Sequence, residues 1–202
     1  MNNLIHPTAV IGADVVFTGG GNFIGPYCFI QGITEIGSNN RFEAFCSIGS
    51  PAEHRDYFSS VDGRTIIGSD NVFREYTTVN AGTVDTTTIH NHVVMLRGSH
   101  VGHDSVISSH VNLSCNTLVG GHSYVMEGAN FGLGSMCHQF SKIGAYSMIG
   151  MGSVITKTRK VLPGHVVVGN PASFIKMNEI GLQRNNITDV QLKLYQQQYE
   201  KL

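Results

Sequence analysis

"IHNHVVMLRGSHVGHDSVISSHVNLSCNTLVGGHSYV", residues 89–125, repeats with a period of six. Ile89, Met95, Val101, Ile107, Leu113, Val119 and Val125 mark the beat. It continues through Phe131, Cys137, Ile143, Ile149, Ile155, Val161 and Val167. With 41% apolar residues in the chain, fourteen apolar positions in one register arise by chance about four times in a million, so the period is a property of the fold. Four residues after most anchors comes a small partner, such as Ser99, Ser105, Thr117, Ser123, Ala129 or Ser135. Six fits neither a helix nor an alternating strand. It fits short strands separated by bends, with anchor and small partner both pointing inward. Three strands make a triangular coil of eighteen residues, and coils stack along an axis at roughly the 4.8 Å spacing of neighbouring strands. The fold class is therefore all-β, a left-handed parallel β-helix of hexapeptide repeats.

Earlier runs keep the same beat in shifted registers: Ile5, Ile11 and Phe17; Ile24, Ile30, Ile36, Phe42 and Ile48; Ile67, Phe73 and Val79. A long loop breaks the rhythm near residues 49–66, and a shorter break separates Val79 from Ile89. Cys28, Cys46 and Cys137 fall on inward positions and read as small core residues. The beat ends after Val167. The sequence thus divides into a β-helix over 1–170 and a short α-helical tail over 171–202. In the tail Thr188 or Asp189 caps a helix whose stripe is Leu192, Tyr195, Tyr199 and Leu202.

Composition narrows the function. A formal net charge of −1 with 13% charged residues lacks the basic excess of nucleic-acid binders. Scattered cysteines without CxxC spacing suit reduced thiols in the cytoplasm. No signal peptide or membrane span is legible.

The phase of each residue gives its place on the coil. Val101, Val119, Cys137 and Ile155 recur every eighteen residues, so His100, His103, Gly121, His122, His138 and Gln139 gather on one outer edge across three coils. None of these histidines is inward. A zinc site of the γ-class carbonic anhydrase type uses other His spacings than the three and nineteen found here, and this edge is short of acidic and Cys ligands, so no metal is expected. General-base chemistry needs one His, a carboxylate to orient it and a nearby oxyanion donor. His103 with Asp104 fits the first two, and the Gly121 N–H, one coil away, fits the third. His54, His90 and His92 read as loop or surface residues, and "KTRK" (157–160) as a protruding basic loop facing a coenzyme A phosphate, an acidic carrier surface or only solvent.

"REYTTVNAGTV" (74–84), "SHVGHDSVISSHVNLSCNTLVGGHS" (99–123), "CHQFSKIGAYSMIG" (137–150) and "NEIGLQR" (178–184) resemble the UDP-N-acetylglucosamine acyltransferase family of the lipid A pathway, which belongs to lipopolysaccharide synthesis. The resemblance implies a cytoplasmic homotrimer with sites between subunits. It also implies an acyl-carrier-protein or coenzyme A thioester as co-substrate, with no tightly bound cofactor. His103 would then be the base, Asp104 its neighbour and Gly121 the oxyanion donor. His100, His122, His138, Gln139, Asp56, Asn178 and Arg184 would bind the nucleotide-linked sugar or the acyl chain. Asn185 and Ile180 stand where the family has Arg and Glu. Met151 stands where long-chain members carry Gly, implying a shorter, 3-hydroxybutyryl-like acyl group, or else simple interface packing. The acceptor is a hydroxyl or an amine. The rival reading on the same fold is an acetyl-coenzyme A-dependent sugar acetyltransferase.

Overall fold

The computed structural model describes residues 2–57 and 63–202, so residues 58–62 of the long loop lie outside the described part. The chain winds through three sheets of ten, eight and seven strands, parallel throughout except for the last strand of the first sheet. The register is the one the period demands. Val101 pairs with Val119, Val119 with Cys137 and Cys137 with Ile155 on the second sheet. Val106–Ile107 pairs with Tyr124–Val125 on the third.

Every anchor from Ile89 to Ile155 is buried in a single axial core. Most strands are only two residues long, which a free strand could not sustain; here each is held by the rungs on either side. Phe42 and Phe73 stack inside the core with centroids 4.5 Å apart and planes 2° from parallel. Small inward partners also bond along the axis. The amide of Asn40 donates to Asn22 Oδ1 at 3.0 Å, and Asn40 Oδ1 accepts from the Asn71 backbone at 3.0 Å. This buried ladder satisfies polar atoms where the sheets bend.

The corner between the second and third sheets carries the site. Asp104, His122 and Phe140 follow one another there every eighteen residues, with φ of 57°, 55° and 62°. That left-handed conformation is unusual for side-chain-bearing residues, and Asp and His tolerate it better than most.

Beyond Gly169 the structure departs from the expected helical tail. Ala172–Met177 is a strand that returns antiparallel on His165–Gly169, closing the last coil of the first sheet. Its residues obey no six-residue beat, so the period could not reveal them. Two helices follow, α1 (Glu179–Arg184) and α2 (Asp189–Tyr199). Thr188 is the cap of α2, in a capping box with Gln191. Tyr195 and Tyr199 fold α2 back on the third sheet: Tyr195 Oη donates to Glu127 at 2.9 Å, and Tyr199 Oη to the Lys142 carbonyl at 3.3 Å. No helix among the described residues is long and apolar enough to cross a membrane.

The core stack yields a stability prediction. Phe73→Ala, which empties a fully buried ring site, is expected to cost about 3–5 kcal/mol. Chemical denaturation of the two proteins checks this, and a loss under ~1 kcal/mol would mean the stack carries little load.

Candidate active site

His103 and Asp104 sit together at that corner. The His103 side chain is 11% exposed and that of Asp104 is wholly buried. His103 Nδ1 lies 2.6 Å from Asp104 Oδ2. A carboxylate only accepts, so Nδ1 carries a proton in this bond, and Nε2 is the ring nitrogen outside it.

The carboxylate is anchored by the shorter break in the rhythm. Asp104 Oδ1 accepts from the backbone N–H groups of Thr83, Val84 and Asp85 at 2.8, 3.1 and 2.8 Å, and Oδ2 accepts from the Thr83 hydroxyl at 2.7 Å. Burial opposes the charge. The hydrogen bonds from His103, from the Thr83 hydroxyl and from the Asp85 and Thr83 backbone outweigh it and hold the carboxyl well below the usual carboxylate range. Asp104 stays ionised and is positioned to stabilise an imidazolium on His103.

Gly121 lies against the same ring. A Cβ at residue 121 would come 2.8 Å from His103 Nε2 and 3.0 Å from Cε1, so only glycine leaves the ring in place. The Gly121 N–H makes no hydrogen bond among the described residues. It is a free donor at the floor of the groove.

The groove has a volume of about 500 Å³. Its polar wall includes His100, His103, His138 and Gln139. Its apolar wall is Leu118, Met136 and Val154, the outward residues of successive rungs of the second sheet. The period assigns such positions to the outside and gives no sign that they form a wall. His100 Nδ1 is 2.8 Å from the Thr78 hydroxyl, and burial lowers its pKa against the pull of Glu53. His122 stacks on Phe140 at 4.5 Å and meets the His103 ring edge-on at 4.9 Å. The long loop adds two residues that the rhythm could not place: Glu53 lines the groove, and the His54 ring stands 6.3 Å from that of His103. His54 is thus a neighbour of the site and not a remote loop residue.

Other candidates lie elsewhere in the chain. Asp56 is exposed, 3.9 Å from His54 Nδ1. Asn178 caps α1, accepting from the Gly181 N–H and donating to the Tyr146 carbonyl. Arg184 ends that helix. Met151 is 73% exposed at the corner between the first and second sheets. None of these four lines the His103 groove within the chain.

The edge does hold an acidic group against its histidines. Ligand atoms of His103, Asp104 and His122 lie within 4.8 Å of one another. Both Asp104 oxygens are already occupied by donors, which a cation would have to displace. One of those donors is the His103 ring, which the carboxylate holds in a fixed orientation.

This fold and this site define a hexapeptide-repeat acyltransferase. The chain is 36% identical to the acyl-[acyl-carrier-protein]–UDP-N-acetylglucosamine O-acyltransferase of Stutzerimonas stutzeri, over 92% of its own length and 79% of the relative's. It therefore belongs to the UDP-N-acetylglucosamine O-acyltransferase family. The Pseudomonas savastanoi enzyme of the same name is also 36% identical, over 80% of this chain, which spans 63% of that relative. A UDP-N-acetylglucosamine O-acyltransferase structure from Moraxella catarrhalis superposes with a TM-score of 0.78 at 29% identity, covering 96% of this chain and 82% of that one. The Francisella novicida UDP-N-acetylglucosamine acyltransferase superposes with a TM-score of 0.82 over 98% of this chain and 79% of that one; at 24% identity this speaks for the fold alone. No protein-family model matches the chain.

The Asp104 clamp makes stability depend on pH. The folded-state pKa lies below the ordinary value of 3.8, so the unfolded chain takes up the proton first as pH falls. The contribution is complete above the ordinary value and drains away below it. Asp104→Asn is expected to lower the melting temperature most near pH 6, with a gap to wild type that narrows below about pH 4. A gap of constant size from pH 6 to pH 3 would show that the carboxylate charge is not what holds the clamp.

Proposed function

We propose that the protein transfers a 3-hydroxyacyl group from a thioester, on acyl carrier protein or coenzyme A, to a hydroxyl or amine of a nucleotide-linked sugar. The single observation that carries this is the dyad: a buried, fivefold-bonded Asp104 holding His103 so that Nε2 faces a groove floored by a bare glycine. His103 Nε2 takes the acceptor proton as the acceptor attacks the thioester carbonyl. The developing oxyanion is met by the Gly121 N–H. Collapse expels the thiolate, which recovers the proton from the His103 imidazolium, and Asp104 stabilises that cation in between. Holding both substrates in one groove supplies much of the rate. The relatives' names support a UDP-N-acetylglucosamine acceptor and an acyl-carrier-protein donor for this reading.

In this reading the working form is a cytoplasmic homotrimer, supported by the exposed apolar residues Phe29, Leu118 and Met136 along one sheet, which a neighbouring subunit would cover. A neighbour would also bring Asn178, Arg184 and Asp56 toward a groove they do not reach within their own chain. Met151 shortens the acyl chain by occupying the space of several methylenes.

Two experiments test these roles. His103→Ala is expected to lower kcat by about 10²–10⁴-fold with the circular-dichroism spectrum unchanged; retained turnover would remove His103 as the base. Met151→Gly is expected to shift preference toward longer 3-hydroxyacyl donors, read as the ratio of kcat/KM values across a chain-length series. An unaltered ratio would leave Met151 as packing only.

A further inference from the structure

The corner between the third and first sheets uses the backbone device of the His103 corner with other residues. His92 and His110 hold one place on successive coils, two residues before the paired Val94 and Asn112. Both take the left-handed backbone, with φ of 56° and 61°. Their rings lie face to face, centroids 4.9 Å apart and planes 6° from parallel. Both residues are exposed, as is His90 two residues earlier. Ring nitrogens of His100, His103 and His138 are hydrogen-bonded within the chain. Among the described residues no hydrogen bond holds the ring of His90, His92 or His110, so these three are free to turn.

The three imidazoles open on a cavity of about 450 Å³ that shares no lining residue with the His103 groove. Tyr124 and Glu127 line it from the third sheet and its corner, and Tyr195 from α2. Tyr195 Oη donates to Glu127 Oε2, and Oε1 has no donor among the described residues. No Lys or Arg lines the cavity. A carboxylate oxygen with no counter-charge, set among imidazole lone pairs, is a donor set for a cation. Calcium and magnesium take oxygen ligands, whereas imidazole nitrogen suits zinc, nickel and copper.

The spacing suits a shared ion. Side chains at equivalent places on adjacent rungs start roughly 4.8 Å apart. Helical residues four apart, the separation at which an HExxH motif clips zinc, start about 5–6 Å apart. Face to face, the two rings do not aim their nitrogens at one point. Turning each ring about its Cβ–Cγ bond brings one nitrogen of each together, and no hydrogen bond resists the turn. Glu127 precedes Gly128, which holds the same place on the next rung, so its carboxylate approaches the pair from the far side of His110.

We propose that this corner binds a divalent transition-metal ion of the zinc, nickel and copper group. His92 and His110 are the cross-rung pair, and His90 and Glu127 complete a four-donor set. The bound ion ties adjacent coils together and, through Glu127 and its bond to Tyr195, ties them to α2. The site stands apart from the groove and does not depend on the acyl-transfer reading.

Equilibrium dialysis of the full chain against Zn²⁺ tests the site without turnover. Wild type is expected to take up Zn²⁺ saturably. The informative variants are His92→Asn and His110→Asn, since Asn tolerates the left-handed backbone. Even the outlying partners of a metal ligand are worth 10–100-fold in affinity, so loss of a ligand itself should weaken binding about 100-fold or more. His122→Ala, which removes an imidazole from the His103 corner, should still bind. Saturating Zn²⁺ should raise the melting temperature of wild type and of His122→Ala, and leave that of the two corner variants where it was. The proposal is overturned by an absence of saturable uptake in wild type, or by undiminished uptake and an equal thermal shift in both corner variants. Uptake lost in His122→Ala alone would place the ion at the His103 corner and overturn it too.

Discussion

Parallel rung pairing at constant register is the constraint on which the molecule depends. Each inward residue is buried only because the coils on either side repeat the same shape, so the axial core is a column of anchors from Ile24 to Val167. The same pairing converts separation along the chain into position. Eighteen residues become one step of roughly 4.8 Å along an outer edge, and thirty-six become two. A cluster of polar side chains can be assembled this way on one edge from residues far apart in sequence with no special scaffold. It needs only that the corner residues Asp104 and His122 accept a left-handed backbone, which turns their side chains across the corner.

Much of this was legible in the residues alone, because the period is strict where it matters. The fold, the buried cysteines, the gathering of His100, His103, Gly121, His122 and His138, and a helix cap at Thr188 or Asp189 all follow from phase arithmetic or cap chemistry; the structure puts the cap at Thr188. What stayed hidden lies where phase loses its meaning. The antiparallel return at Ala172–Met177 carries no six-residue beat. Glu53 and His54 sit in an excursion whose path only tertiary packing sets. The apolar wall of Leu118, Met136 and Val154 occupies outward positions, for which the period predicts a direction but no surroundings.

The interruptions show a division of labour. Regular coils supply rigidity, and both breaks in the rhythm turn out to border the groove. The excursion after Ile48 delivers groups to its rim, and the detour between Val79 and Ile89 delivers four donors to one carboxylate. In a solenoid, an insertion at a corner leaves the core undisturbed, so departures from the repeat are where chemistry can be added at small structural cost.

Asp104 thus has a double tenancy. The carboxylate that polarises the imidazole is also the fastener that ties the detour of residues 83–85 to the barrel. A lineage drifting away from this chemistry could not simply discard the aspartate, because the loop would come unmoored with it. The residue would persist as masonry after its trade was gone, and its presence in a divergent homologue would testify to closure of that coil before it testified to turnover.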